Sequence, residues 1–149
     1  MSILSIATSG LSAASLRVNV AASNIANVRT TGPLPTSGGS SSSVGAGSSS
    51  MSSTFPAAYA PLRVDQVDQS SGSTPSGTIA TVSTVSPSYT AQSDPSAPFA
   101  NQDGLVAVPN VDLASDFVQL ASAKYSYIAN AKVIQAYSET TDALLDIKT

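Results

Sequence analysis

The chain has 149 residues, of which 42% are hydrophobic with Ala the commonest, and it contains 3 Phe, 5 Tyr and no Trp. That is the length of one ordinary domain without the bulky side chains of a large core. A net charge of −3, with the six basic residues Arg17, Arg29, Arg63, Lys124, Lys132 and Lys148 scattered along the chain, argues against nucleic acid as a partner. The absence of His and Cys removes the commonest acid/base, metal-binding and nucleophilic side chains.

The first element is set by spacing. Leu4, Leu11, Val18 and Ile25 recur every seventh residue, and Ala7, Ala14, Ala21 and Val28 fill the positions three further on. This pattern predicts an apolar helix over 1–32, capped by Ser2 or Ser5 and stopped at Gly32-Pro33, about 40 Å long at ~1.5 Å per residue. Larger residues on one line and mostly Ala on the other admit a partner helix near the short end of the roughly 8–10 Å interaxial range. The start carries neither the cationic segment nor the compact apolar stretch of a secretory signal. Ser and Asn interrupt its apolar runs, so no transmembrane segment is expected.

Residues 33–54 are dominated by Ser and Gly. On composition they read either as a flexible tether or as a loop that orders against neighbouring subunits. Within 55–109 three short runs, Leu62–Val67, Gly77–Val85 and Leu105–Val108, predict a small antiparallel hairpin or sheet, with Asp103-Gly104 as the turn before the last run. Over 110–149 a second long helix follows, capped by Asn110 or Asp112. Its main apolar stripe is Leu113, Phe117, Leu120, Tyr127, Ala131 and Ile134, flanked by Val118, Ala121, Tyr125 and Ile128, while Val133, Tyr137, Leu144 and Ile147 carry the apolar face around the helix.

So wide an apolar surface predicts contact with the first helix and with further copies of the chain. The expected fold is mainly α with a small β region, the N- and C-terminal helices paired as a coiled coil. Asn24 and Asn27 near the end of the first helix, and Asn130 within the last, either fix helix register as buried amides or face water.

Candidate chemistry is thin. Gly45-Ala46-Gly47 lacks the preceding strand and the closing Lys-Ser/Thr of a phosphate loop. Asp94, Asn101 and Asp103 lack the alternation and terminal Glu of a calcium loop and read as an Asx-stabilised turn. Glu139, Asp142 and Asp146 share a solvated helix face with no announced cleft. No catalytic residue, cofactor or metal is expected.

Ser9-Gly10-Leu11-Ser12-Ala13, then Val20-Ala21-Ala22-Ser23-Asn24-Ile25-Ala26-Asn27 and Thr30-Thr31-Gly32, resemble the N-terminal signature of bacterial flagellar rod and hook proteins. Pro109-Asn110-Val111-Asp112-Leu113 and Tyr127-Ile128-Ala129-Asn130-Ala131-Lys132-Val133-Ile134 are similar to the closing helix of that family. Within it, Ser93-Asp94-Pro95-Ser96-Ala97-Pro98, Asp103-Gly104-Leu105-Val106 and the short length resemble the proximal-rod members. The resemblance implies an axial structural subunit, exported without a cleaved signal through the flagellar type III apparatus. It would polymerise in the periplasm with its own copies and other rod proteins. The residues expected to pair helices and subunits are Leu4, Ala7, Leu11, Ala14, Val18, Ala21, Asn24, Ile25, Asn27, Val28, Leu113, Phe117, Leu120, Tyr127, Asn130, Ala131 and Ile134. Another rod or hook subunit, or a secreted coiled-coil adhesin or stalk presenting the Ser-rich stretch, are the competing readings.

Overall fold

The computed structural model describes residues 2–35, 55–72 and 74–147, so nearly all of the Ser/Gly-rich stretch lies outside the described residues. The elements in chain order are α1 (Ile3–Asn27), β1 (Leu62–Ser71), β2 (Thr74–Thr84), β3 (Tyr89–Ser93), β4 (Leu105–Pro109) and α2 (Leu113–Asp146). The protein is mainly helical with a small antiparallel β part, as its sequence pattern predicts. The β part is two separate two-stranded sheets, β1–β2 and β3–β4.

Local chemistry settles the helix ends. Ser2 is the first cap, its Oγ accepting from the Leu4 N–H at 3.4 Å, while Ser5 Oγ donates to the Ser2 carbonyl at 2.7 Å. Asp112 is the second cap, accepting from the N–H groups of Ala114 at 3.1 Å and Ser115 at 3.4 Å. Asn110 instead donates its side-chain amide to the Pro87 carbonyl at 3.0 Å. α1 stops at Asn27, short of the expected Gly32-Pro33. The cause is a competing partner for the backbone: Gly32 and Ala107 exchange two N–H to carbonyl bonds of 3.1 and 2.9 Å, which a continuing helix would forbid.

The chain divides into two compact units. The first comprises Met1–Ile25, Leu62–Thr84 and Asp112–Thr149; the second comprises Ala26–Pro61 and Val85–Val111. The stretch expected to form one β-rich region is therefore divided, β1–β2 belonging to the unit that holds the helices and β3–β4 to the other.

In the first unit the helices run antiparallel. Asn24 reaches Asp116 at one end, and Gly10 faces Asn130 nearer the other, so chain direction reverses between them. The residues α1 buries are Ala7, Ala13, Ala14, Val20, Ala21 and Asn24; those α2 buries are Asp116 and Ala123. The hairpin pairs Leu62 with Thr84 and Gln69 with Gly77, with a bulge after Gln69.

That hairpin lies along α1, held at two points. The Asn24 side chain bonds the Leu62 backbone at the open end. Toward the turn, Ser9 Oγ accepts from the Thr78 N–H at 3.2 Å. From residue 9 to residue 24 a helix rises roughly 22 Å, and from Thr78 to Thr84 a strand spans roughly 20 Å, so the two docking points match in length.

In the second unit β3 pairs with β4 from Tyr89↔Pro109 to Ser93↔Leu105, and Val106, Ala107 and Pro109 are buried. β3 has no sequence signal strong enough to predict a strand; it forms because β4 supplies its hydrogen-bond partner. The turn before β4 is an Asx turn. Asn101 Oδ1 accepts from the N–H groups of Asp103 at 3.0 Å and Leu105 at 2.8 Å, and Gly104 sits at φ 72°. Phe55 and Phe99 pack with ring centroids 5.6 Å apart.

By length and composition alone α1 is long and apolar enough to cross a membrane, a test that the core helix of a globular protein also passes. Its Ala line is nevertheless buried and Asn24 is bonded to β1 and α2, so the helix has one covered face.

Candidate assembly surface

The polar centre of the helix pair is Asn24, which is 4% exposed. Its amide nitrogen donates to the Leu62 carbonyl at 2.8 Å and to Asp116 Oδ1 at 3.3 Å, and its oxygen accepts from the Leu62 N–H at 3.0 Å. One side chain thus ties the end of α1 to the first residue of β1 and the first turn of α2. Burial raises the Asp116 carboxyl above the ordinary aspartate value. The Asn24 hydrogen bond lowers it again, and the nearby Asp112 charge adds to the rise.

Farther along the seam, Asn130 fits where α1 has no side chain. A Cβ on Gly10 would lie 2.7 Å from Asn130 Nδ2, so Gly is the residue that lets the helices approach there. The Asn130 amide donates to the Ser126 carbonyl of its own helix at 2.9 Å. Asn27 is half-buried at the helix end.

The two apolar lines of α1 have different surroundings. Ala7, Ala14 and Ala21 are buried, whereas Leu11, Val18, Ile25 and Val28 are half-buried and Leu4 is exposed. On α2, Leu120, Asn130, Ala131 and Ile134 are half-buried, while Leu113, Phe117 and Tyr127 are exposed, Phe117 at 55%. The inward face of the seam is therefore built of small residues, and much of the bulky apolar surface points away from it. Val18, Leu120, Tyr127 and Ile128, with Lys124, border an apolar groove of about 360 Å³ between the helices. Val118, Tyr125, Leu144 and Leu145 on α2, and Ile147 at its C-cap, add further exposed apolar surface.

Several positions escaped the sequence reading. Ala13 and Val20 are buried beside the Ala line, and their own spacing of seven was the available signal. Gly10, Ser9 and Asp116 are placed by contacts with other segments, which no periodicity reveals. The described residues hold no group of three or more Asp or Glu placed to bind a metal ion.

Paired chain ends, small residues within the seam and large apolar residues outside it define a helix-terminated subunit with surface left for other chains. Comparison with known proteins agrees at both ends. Residues 4–33 match the family of flagella basal body rod proteins, and residues 102–147 match the C-terminal family of flagellar basal body rod FlgEFG proteins. The chain is also similar to the flagellar basal-body rod protein FlgC of Agrobacterium fabrum, 26% identical over 145 residues that cover 95% of this chain and 90% of that protein. The chain belongs to the flagellar basal-body rod protein family and is a structural subunit of that class.

Proposed function

We propose that this protein is a proximal-rod subunit of the flagellar basal body that polymerises through its terminal helices into a torque-transmitting tube. The observation that carries this reading is the inversion of the seam: Ala7, Ala14 and Ala21 are buried while Phe117, Val118 and Tyr125 stay exposed. At roughly 25 cal/mol per Å², the larger part of the apolar gain is available only when neighbours cover those side chains. Subunit contacts that do not close on themselves generate a helical tube, which is the geometry a rotating shaft needs.

In this reading the partners are copies of the chain and other rod proteins, the location is the periplasmic part of the basal body, and delivery is through the flagellar type III apparatus without a cleaved signal. The role is mechanical and calls for no reaction or cofactor. The adhesin or stalk reading has nothing comparable in its favour, because both rod-family matches fall on the helical ends.

Deletion of the gene tests the proposal. The expected strain lacks flagella and regains them, together with the tagged chain in purified basal bodies, when the gene is restored. Normal swimming of the deletion strain overturns it.

A further inference from the structure

Arg17 stands apart from the rest of the seam. It is half-buried, and its guanidinium makes no hydrogen bond or ion pair among the described residues. It borders an open cavity of about 720 Å³ formed by α1, α2 and the turn half of the β1–β2 hairpin, whose other walls include Gln66, Ser126 and Asn130. A half-buried cation with no ion-pair partner among the described residues is a site for a carboxylate. Asp68 borders the same cavity, but it pairs with Thr78 at the level of Ser9. Arg17 and Asp68 form no ion pair among the described residues.

The chain carries a matching acidic surface. The last turns of α2 hold Glu139, Asp142 and Asp146, with no basic residue in the last turn. Asp142 makes no hydrogen bond or ion pair among the described residues, and Glu139 meets only Gln135, at 2.8 Å. These carboxylates cannot reach Arg17 of their own chain. Arg17 lies midway between the Gly10/Asn130 and Asn24/Asp116 contacts, level with Ala123, and Asp142 is roughly 28 Å farther along the same continuous helix.

We propose that the Arg17 cavity receives the acidic end of α2, at Glu139 and Asp142, from a second copy of the chain. The inference rests on the rod-subunit reading and deepens it by naming one contact. The contact is heterologous, cavity to helix end, so it propagates from copy to copy instead of closing a dimer. If the helices of the two copies stay parallel, it offsets them by roughly 24–28 Å along the axis.

The chain contains no Cys, so a single introduced pair reports the contact without background. Full-length Arg17→Cys and Asp142→Cys proteins, mixed and oxidised, are expected to form a disulfide-linked pair between chains; no such pair overturns the proposal. Arg17→Glu is expected to weaken self-association about tenfold or more, because it places like charges together. Arg17→Glu combined with Asp142→Arg is expected to restore it. Circular dichroism verifies that each variant is folded, and Arg17→Gln, which removes the charge without reversing it, replaces Arg17→Glu should the latter not fold. Wild-type association by the folded Arg17 variant, or no recovery in the reversed pair, defeats the proposal. Full complementation of a non-flagellated deletion strain by Arg17→Glu defeats this contact alone, whereas a deletion strain that swims defeats the rod reading itself.

Discussion

Asn24 holds three elements with one amide, and that makes it the most costly single polar position to lose. In Asn24→Leu the volume is nearly kept, but the Leu62 N–H and carbonyl and the Asp116 carboxyl lose a partner. Leaving such groups unsatisfied costs about 1–3 kcal/mol. The expected result is a lower melting temperature with faster hydrogen exchange at the Leu62 amide; an unchanged exchange rate there would show that the amide has another partner.

Asp116 has the opposite character. Its carboxyl titrates above the ordinary value because burial disfavours the charge. The folded state therefore binds that proton more tightly than the unfolded chain does. Its contribution is present in full below the unfolded value and is lost as pH rises through the raised folded one. Asp116→Asn, which keeps an oxygen to accept from Asn24, is expected to be as stable as the wild type or more so at pH 7, with a shallower fall in stability between acid and neutral pH. Denaturant titrations at several pH values measure both.

Gly10 gives a third residue-scale test. Ala is about 1 kcal/mol the better helix former, yet its Cβ would overlap Asn130, and overpacking of that kind costs about 1–3 kcal/mol. Gly10→Ala is expected to lower stability, and Gly10→Ala with Asn130→Ala to recover part of the loss. A stabilised Gly10→Ala protein would mean that the helices stand farther apart than the contact requires.

Among the elements, the hairpin is the one whose placement depends on a single backbone conformation. Gly77 adopts φ 105°, and a Cβ there would collide with the Ser9 side chain. Gly77→Ala therefore strains the strand and pushes it from α1 at the same point. The expected outcome is a loss of more than about 1 kcal/mol, read as lost exchange protection in β1 and β2 with β3 and β4 unaffected. Equal loss in all four strands would argue that the two units unfold together.

The same scale shows how far pattern reading reaches. The heptads identified α1, a broad apolar stripe identified α2, and turn chemistry identified Asp103-Gly104 and the alternative caps. Heptad spacing says which residues share a face; it does not say what covers that face. Here α2 and a β-hairpin both press on α1, so its Ala line turns inward and the Leu4, Leu11, Val18 line is pushed to the flank. β3 was illegible for a related reason: Tyr89-Thr90-Ala91-Gln92-Ser93 acquires strand geometry from β4, across a turn and an Asx loop, more than from its own residues.

For the molecule as a whole, the distribution of apolar surface sets the expected behaviour. Large side chains such as Phe117 at 55%, Val118 at 69% and Tyr125 at 72% exposed leave burial unfinished in the single chain. Association that covers them stabilises the folded form by mass action. The melting temperature of the purified protein is therefore expected to rise with concentration, and sedimentation to show growing species over the same range. A melting temperature constant across a hundredfold dilution series would mean that the single chain is already complete.

Sequence alone determined the two terminal helices, their need for each other, the kinship of both ends with the flagellar rod family and the absence of the commonest catalytic side chains. These follow from residue type and spacing, which are local properties of the chain. Only the tertiary structure decided that small residues form the seam, that Asn24 joins α1, β1 and α2, that the β part splits between two units and that Arg17 has no partner among the described residues. Those outcomes depend on which surfaces meet across long stretches of chain, and contacts between distant segments leave no period in the sequence.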